Sequence, residues 1–136
     1  MLTAYFFRPS LRDDKPLEDV AQKSRQEETE SEEPFLLCRQ CLNPITAKSA
    51  RIAVDGAHQH TFANPHGVVF DIGCFKTAEG CAVIGRPTDE FTWFAGTTWR
   101  IAMCRACMTH MGWLYIASGG SRFFGLILDH LVDSGI

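Results

Sequence analysis

The residues with chemistry to offer are two Cys-x-x-Cys pairs, Cys38 with Cys41 and Cys104 with Cys107, and three tryptophans, Trp93, Trp99 and Trp113. A Cys-x-x-Cys turn aims two sulfurs at one point, and two such turns complete a tetrahedral four-thiolate site. Protein then fills every coordination position, so a zinc ion held there stabilises a fold and activates no water. One structural zinc per chain is the expectation. Iron in a rubredoxin-like site would use the same four thiolates. A thioredoxin-like redox pair would need a βαβ setting that the flanking sequence lacks, and disulfides would need an oxidising compartment. Cys74 and Cys81 are left over in the apolar settings DIGCF and GCAVI, which suit buried thiols better than reactive ones. His58 and His60 form a His-x-His pair that no thiol or carboxylate completes at matching spacing; they read as part of a polar turn after Asp55 and Gly56.

The tryptophans fall close together in the stretch 90–115, which also holds the second cysteine pair. If FTWF and WRIAM form a hairpin around Gly96, alternation places Trp93 opposite Trp99, and Phe91 opposite Ile101, on one face. Trp113 and Tyr115 share a face of the strand after the second cysteine pair. A single tryptophan is usually core. Three with a phenol at a hairpin mouth are more aromatic wall than a small β core needs, and point to a cage. Such a cage holds either a methylated ammonium by cation–π attraction or a flat neutral ring.

These residues need a scaffold, and the composition says where it lies. Residues 1–33 carry nine acidic and five basic side chains and hold no cysteine or tryptophan. Their QEETESEE run lacks the apolar content to offset ordering entropy. A disordered acidic tail over 1–33 is expected; LEDVAQKSRQEE is an alternative helix, and Tyr5, Phe6 and Phe7 are an apolar patch that could dock. Residues 34–136 should be the folded domain, beginning with a strand at PFLLC. Further strand candidates are RIAV (51–54), the two runs flanking Asn64, Pro65, His66 and Gly67, then CAVIG (81–85), the hairpin and GWLYIA. SRFFGLILDHLV suits strand or helix by period alone. Short strands separated by turn signals at intervals of about eight to twelve residues predict an all-β domain. The folded part has no clustered basic face, so nucleic acid is not an expected partner. There is no run of about eighteen or more apolar residues to span a bilayer, and no secretory signal is read at the start. Cytoplasmic residence is the expectation, with thiols reduced.

The segments CRQC, FANPHG, IGRPTDEFTWFAGTTW, CRACMTHMGWLY and FFGL together resemble the CULT domain family, the thalidomide-binding domain of cereblon, and its small single-domain bacterial members above all. The resemblance covers roughly 35–130, and it carries over no ubiquitin-ligase role. It implies a β-tent, two antiparallel sheets pinned by a zinc on Cys38, Cys41, Cys104 and Cys107. It also implies a cage of Trp93, Trp99, Trp113 and Tyr115 for cyclic imides and ureides such as glutarimide, hydantoin, succinimide and uracil. In that reading the backbone carbonyl of Phe91 accepts from the imide N–H, the amide of Trp93 donates to a ring carbonyl, and Asn64 sits at the rim. The cereblon domain has histidine at the position of Phe91 and phenylalanine at that of Tyr115, and Thr92 could partly replace the lost histidine.

The function expected is therefore capture, by a monomer, of a small cyclic imide or ureide, free or as a cyclised peptide end, with no catalytic residue. Two alternatives use the same sequence features. One is a methyl-ammonium reader with the same cage. The other is an enzyme like the zinc-bearing methionine sulfoxide reductases, with Cys74 or Cys81 as nucleophile. The hairpin over 91–99 has few flanking apolar residues, so it is expected to order on ligand binding.

Overall fold

The computed structural model describes residues 34–135. The expectations for 1–33, including the alternative helix and the apolar patch at Tyr5, Phe6 and Phe7, lie outside the described residues.

Nine strands and no α-helix occur among the described residues: β1 (Phe35–Cys38), β2 (Pro44–Ala47), β3 (Gln59–Ala63), β4 (Val69–Phe75), β5 (Cys81–Thr88), β6 (Thr97–Cys104), β7 (His110–Ala117), β8 (Arg122–Ile127) and β9 (Leu131–Asp133). They form a three-stranded sheet, order β2-β1-β9, and a six-stranded sheet, order β3-β4-β8-β7-β6-β5. Every pairing is antiparallel, as the short strands and tight turns predict. Among the described residues no helix is long and apolar enough to cross a membrane.

The ambiguous SRFFGLILDHLV run is strand, 3₁₀ turn and strand in succession. β8 belongs to the six-stranded sheet and β9 to the three-stranded one, and the turn Leu128–His130 carries the chain between them. β5 runs past the expected stop at Arg86 and Pro87 to Thr88. Proline is tolerated because β5 is the sheet edge, where a missing N–H breaks no ladder. β2, at PITA, was not visible in the sequence pattern.

Two expected strands are corrected. Residues 51–54 make only isolated bridges, Arg51 with Phe75 and Val54 with Ala57. FTWF is not the first arm of a hairpin. The arm paired with β6 is β5, with Ile84 opposite Ile101 and Thr88 opposite Trp99, and 89–96 is the loop between them. Alternation cannot persist there because Phe91 adopts φ 55° and Gly96 φ 80°, both left-handed values. The loop closes on itself instead: the Thr97 amide and hydroxyl both donate to the Phe94 carbonyl, at 3.2 and 2.6 Å.

Alternation along the strands divides the buried residues into two clusters. Phe75 and Leu126 join Ile45, Met111 and Leu131 in one, whereas their neighbours Cys74 and Ile127 join Tyr115 and Phe94 in the other. The first cluster mixes residues of both sheets. The second underlies the aromatic face of the six-stranded sheet. Just before β5 the backbone of Gly80 lies against β2, where an added Cβ would stand 2.0 Å from the Pro44 carbonyl oxygen. Its amide donates to Ile45 and its carbonyl accepts from Arg105, so this glycine ties β2 to the second cysteine turn.

Candidate functional site

The two cysteine turns have the same construction. In the first, the Leu42 amide donates to the Cys38 carbonyl at 2.7 Å; in the second, the Met108 amide donates to the Cys104 carbonyl at 2.8 Å. Leu42 and Met108 take matching left-handed φ values of 66° and 67°. Each turn is thereby folded so that both of its sulfurs point inward. Cys38 lies on β1 of the small sheet and Cys104 ends β6 of the large one. The four sulfurs all fall within 4.8 Å of one another, with Cys38 to Cys107 at 3.6 Å and Cys41 to Cys104 at 3.5 Å. Tetrahedral ligands at a Zn–S bond of about 2.3 Å stand about 3.8 Å apart, so this donor set fits one metal ion. The second turn favours thiolate, with Cys104 and Cys107 lowered, whereas burial pushes Cys38 up, and Cys41, against the opposing Asn43 amide, is pushed up by desolvation and the neighbouring sulfurs. The Thr109 hydroxyl lies 3.0 Å from Cys107 Sγ and, with the Thr109 amide, draws that thiol down to about 6. Asn43 Nδ2 donates to Cys104 Sγ at 3.6 Å.

The three tryptophans reach one cavity from different elements. Trp99 is on β6 and Trp113 on β7, and register places Trp99 opposite Tyr115 and Ile101 opposite Trp113, so all four share a face. Trp93 comes from the 89–96 loop. Together with Tyr115 they line a cavity of about 520 Å³, whose rim includes Asn64, Pro65, His66, Glu90 and Phe91. That volume is within the range of about 300–1,000 Å³ common for small-molecule sites. Trp93 and Trp113 meet edge to face at 4.9 Å, and Phe62 and Phe70 pack behind Trp93. Among the described residues no ring packs on Trp99 at stacking or edge-to-face distance, the other cage indoles included.

Two indole N–H groups hold the loop in place. Trp99 Nε1 donates to the Glu90 carbonyl at 2.8 Å, and Trp93 Nε1 to the Ala63 carbonyl at 3.3 Å. The Asn64 side-chain oxygen accepts from the amides of His66 and Val68, both at 2.9 Å, which leaves its Nδ2 for the rim. Among the described residues, no hydrogen bond engages the Phe91 carbonyl or the Trp93 amide. Phe91 itself is 71% exposed. Thr92 does not line the cavity; its hydroxyl pairs with Thr97 Oγ1 at 2.8 Å.

Phe94 is the residue that sequence reasoning missed. It is 2% exposed and packs edge-on against His60, Phe62, Tyr115 and Phe123. The loop thus has a deep apolar anchor, contrary to the expectation of few apolar contacts. Strand alternation would have sent Phe94 to the face away from Trp93, and no other sequence signal marked it. His58 and His60 also differ from a turn exposed to water. Their rings meet the carbonyls of Ile52 at 3.1 Å and Val54 at 2.9 Å, fastening the 51–57 segment to β3.

Trp113 has a further neighbour in His110, whose ring stands edge-on at 4.9 Å while its Nε2 meets the Gly112 carbonyl at 3.0 Å. Burial pushes the His110 pKa below the usual value; the Gly112 carbonyl opposes this and nearby His130 adds to it. A histidine depressed on folding contributes stability above its unfolded pKa of about 6.5 that is lost as pH falls through the folded value. The melting temperature should therefore decline from pH 7 to pH 5, and His110→Gln should flatten that decline. Parallel pH profiles for the two proteins would show that His110 does not contribute.

Cys74 and Cys81 have no catalytic setting. Both are buried, and burial pushes their thiols up to about 11 and about 12. A nucleophilic cysteine needs the opposite shift and access to substrate.

No protein-family model matches the chain. Among curated proteins it is similar to the cereblon of Danio rerio, 36% identical over 105 residues that cover 73% of this chain and 24% of the relative. Against the cereblon of Gallus gallus it is 34% identical over 103 residues, 71% of this chain and 23% of the relative. Against that of Xenopus tropicalis it is 36% identical over 97 residues, 67% and 22% respectively. The chain thus spans less than a quarter of the length of these relatives. With an all-β fold of two antiparallel sheets and a clustered cysteine quartet, this chain carries a cereblon-like CULT domain.

Proposed function

We propose that the domain is a binding module that captures small cyclic imides and ureides of the glutarimide, succinimide, hydantoin and uracil type, free or as the cyclised end of a peptide. One observation supports this reading: Phe91 and Trp93 both border the aromatic cavity, and among the described residues the Phe91 carbonyl and the Trp93 amide have no hydrogen-bond partner. A cyclic imide presents an N–H flanked by carbonyls on one edge and apolar ring atoms on the other. The Phe91 carbonyl would accept from the N–H, and the Trp93 amide would donate to a flanking carbonyl. Trp93, Trp99 and Trp113 would cover the ring faces, Tyr115 would close the floor and Asn64 would border the opening. Thr92 would support the loop through Thr97. The reaction is recognition without turnover, which agrees with the buried, high-pKa settings of Cys74 and Cys81.

In the same reading Cys38, Cys41, Cys104 and Cys107 hold one zinc ion, and a monomer works in a reducing cytoplasm where these thiols stay free for metal. With four protein ligands, bound zinc supplies a cross-link between the sheets and leaves no position for water. A methylated ammonium is the competing ligand, favoured by Glu90 at the rim.

Tryptophan fluorescence decides between the ligands. Glutarimide should quench it, and N-methylglutarimide should not, because it leaves the Phe91 carbonyl without a donor at a cost of about 1–3 kcal/mol. A response to trimethyllysine alone would overturn the imide assignment in favour of the ammonium reader.

A further inference from the structure

The polar group of Tyr115 differs from those of Trp93 and Trp99. The indole N–H groups of Trp93 and Trp99 are already engaged with the carbonyls of Ala63 and Glu90. The Tyr115 side chain lines the cavity yet is only 2% exposed, and among the described residues its hydroxyl has no hydrogen-bond partner. A buried tyrosine hydroxyl usually finds a partner, so an unpaired one needs a reason. The ring cannot swing to find one elsewhere. Phe123 stacks on it at 5.2 Å, Phe94 meets it edge-on at 4.8 Å, and a Cβ on Gly125 would lie 2.9 Å from its Cε2. Burial, with a smaller effect of the Cys74 thiol, raises its pKa, so the phenol is neutral and able to accept or donate. A phenylalanine would fill the same space without an unpaired hydroxyl.

Resting on the imide-and-ureide reading above, we infer that the Tyr115 hydroxyl is a specificity determinant that accepts from a second ring N–H, so that the cage prefers cyclic ureides to simple imides. A pure imide has one N–H, and the Phe91 carbonyl takes it. A cyclic ureide keeps that edge and replaces one ring CH₂ by N–H. The carbonyls of Ala63 and Glu90 each already accept from an indole N–H, and the indole faces offer no lone pair. Tyr115 then offers a neutral acceptor among the cage aromatics, apart from the Glu90 carboxylate at the rim.

Two matched pairs isolate this contact: dihydrouracil against glutarimide, and hydantoin against succinimide, each differing by N–H in place of one CH₂. Dissociation constants from tryptophan quenching should favour the ureide of each pair by about tenfold in the native protein, as one hydrogen bond gives. Tyr115→Phe should bring each ratio to near one. Equal affinities within each pair for the native protein would overturn the inference, as would an undiminished ureide preference in a folded Tyr115→Phe. Either result leaves imide binding itself intact. If none of the four rings binds the native protein, the imide-and-ureide reading fails and the inference goes with it.

Discussion

Cys104→Ser should leave the domain unfolded at room temperature, and a strong zinc chelator should do the same to the native protein. The sheet-to-sheet cluster explains why. Among its fully buried members only Ile45, Phe75, Met111, Leu126 and Leu131 are large; the others are alanines and cysteines. At roughly 1.5–3 kcal/mol for each large side chain, that seam offers little beyond the cost of ordering the strands. Structural zinc in small domains contributes about 10–16 kcal/mol, comparable with or larger than the whole stability of about 5–15 kcal/mol typical of a domain. Cys38 and Cys104 are fully buried whereas Cys41 and Cys107 are exposed. Serine at either buried position should therefore be worse than serine at Cys41, where water can reach the gap. Thermal melts read beside zinc content check the ordering, and Cys74→Ala, outside the cluster, should keep its full zinc content. A Cys104→Ser protein that melted like the native one would remove the metal from the account of the fold.

The two halves of this domain were not equally legible in the sequence. The cysteine quartet was, because Cys-x-x-Cys turns depend on local geometry that spacing encodes, down to the matching conformations of Leu42 and Met108. The face shared by Trp99, Ile101, Trp113 and Tyr115 was also legible, since strand alternation is reliable where pairing is regular. The 89–96 loop was not. Aromatic residues at successive positions look like a strand to any periodic rule, and only the tertiary context reveals that Phe91 turns left-handed so that Trp93 and Phe94 pack into the same cluster. The 51–57 segment failed in the opposite sense: RIAV has strand composition, but its carbonyls are occupied by the His58 and His60 rings rather than by a neighbouring strand. Two histidines that read as part of a polar turn prove to be backbone partners.

Trp99→Ala should abolish measurable imide binding while the domain stays folded. Trp99 is half-buried, and among the described residues no aromatic ring rests on it, so its removal does not open the deep core. Its losses are local and twofold. One wall of the slot disappears, and the bond from Nε1 to the Glu90 carbonyl that ties the 89–96 loop to β6 goes with it. Aromatic residues at the centre of a binding site commonly cost 2 kcal/mol or more on truncation, about 30-fold or more in affinity. Trp99→Phe separates the two effects, because it keeps an aromatic face and deletes only the N–H donor; its affinity should fall between those of Trp99→Ala and the native protein. The loop should stay packed in both variants, because Phe94 remains buried against Phe62, Tyr115 and Phe123. Calorimetric titration with glutarimide, with melting curves as the control for folding, provides the comparison. Native-like affinity in Trp99→Ala would place the ligand elsewhere than between these indoles, and an unfolded Trp99→Ala would mean that the loop hangs on its indole bond rather than on Phe94.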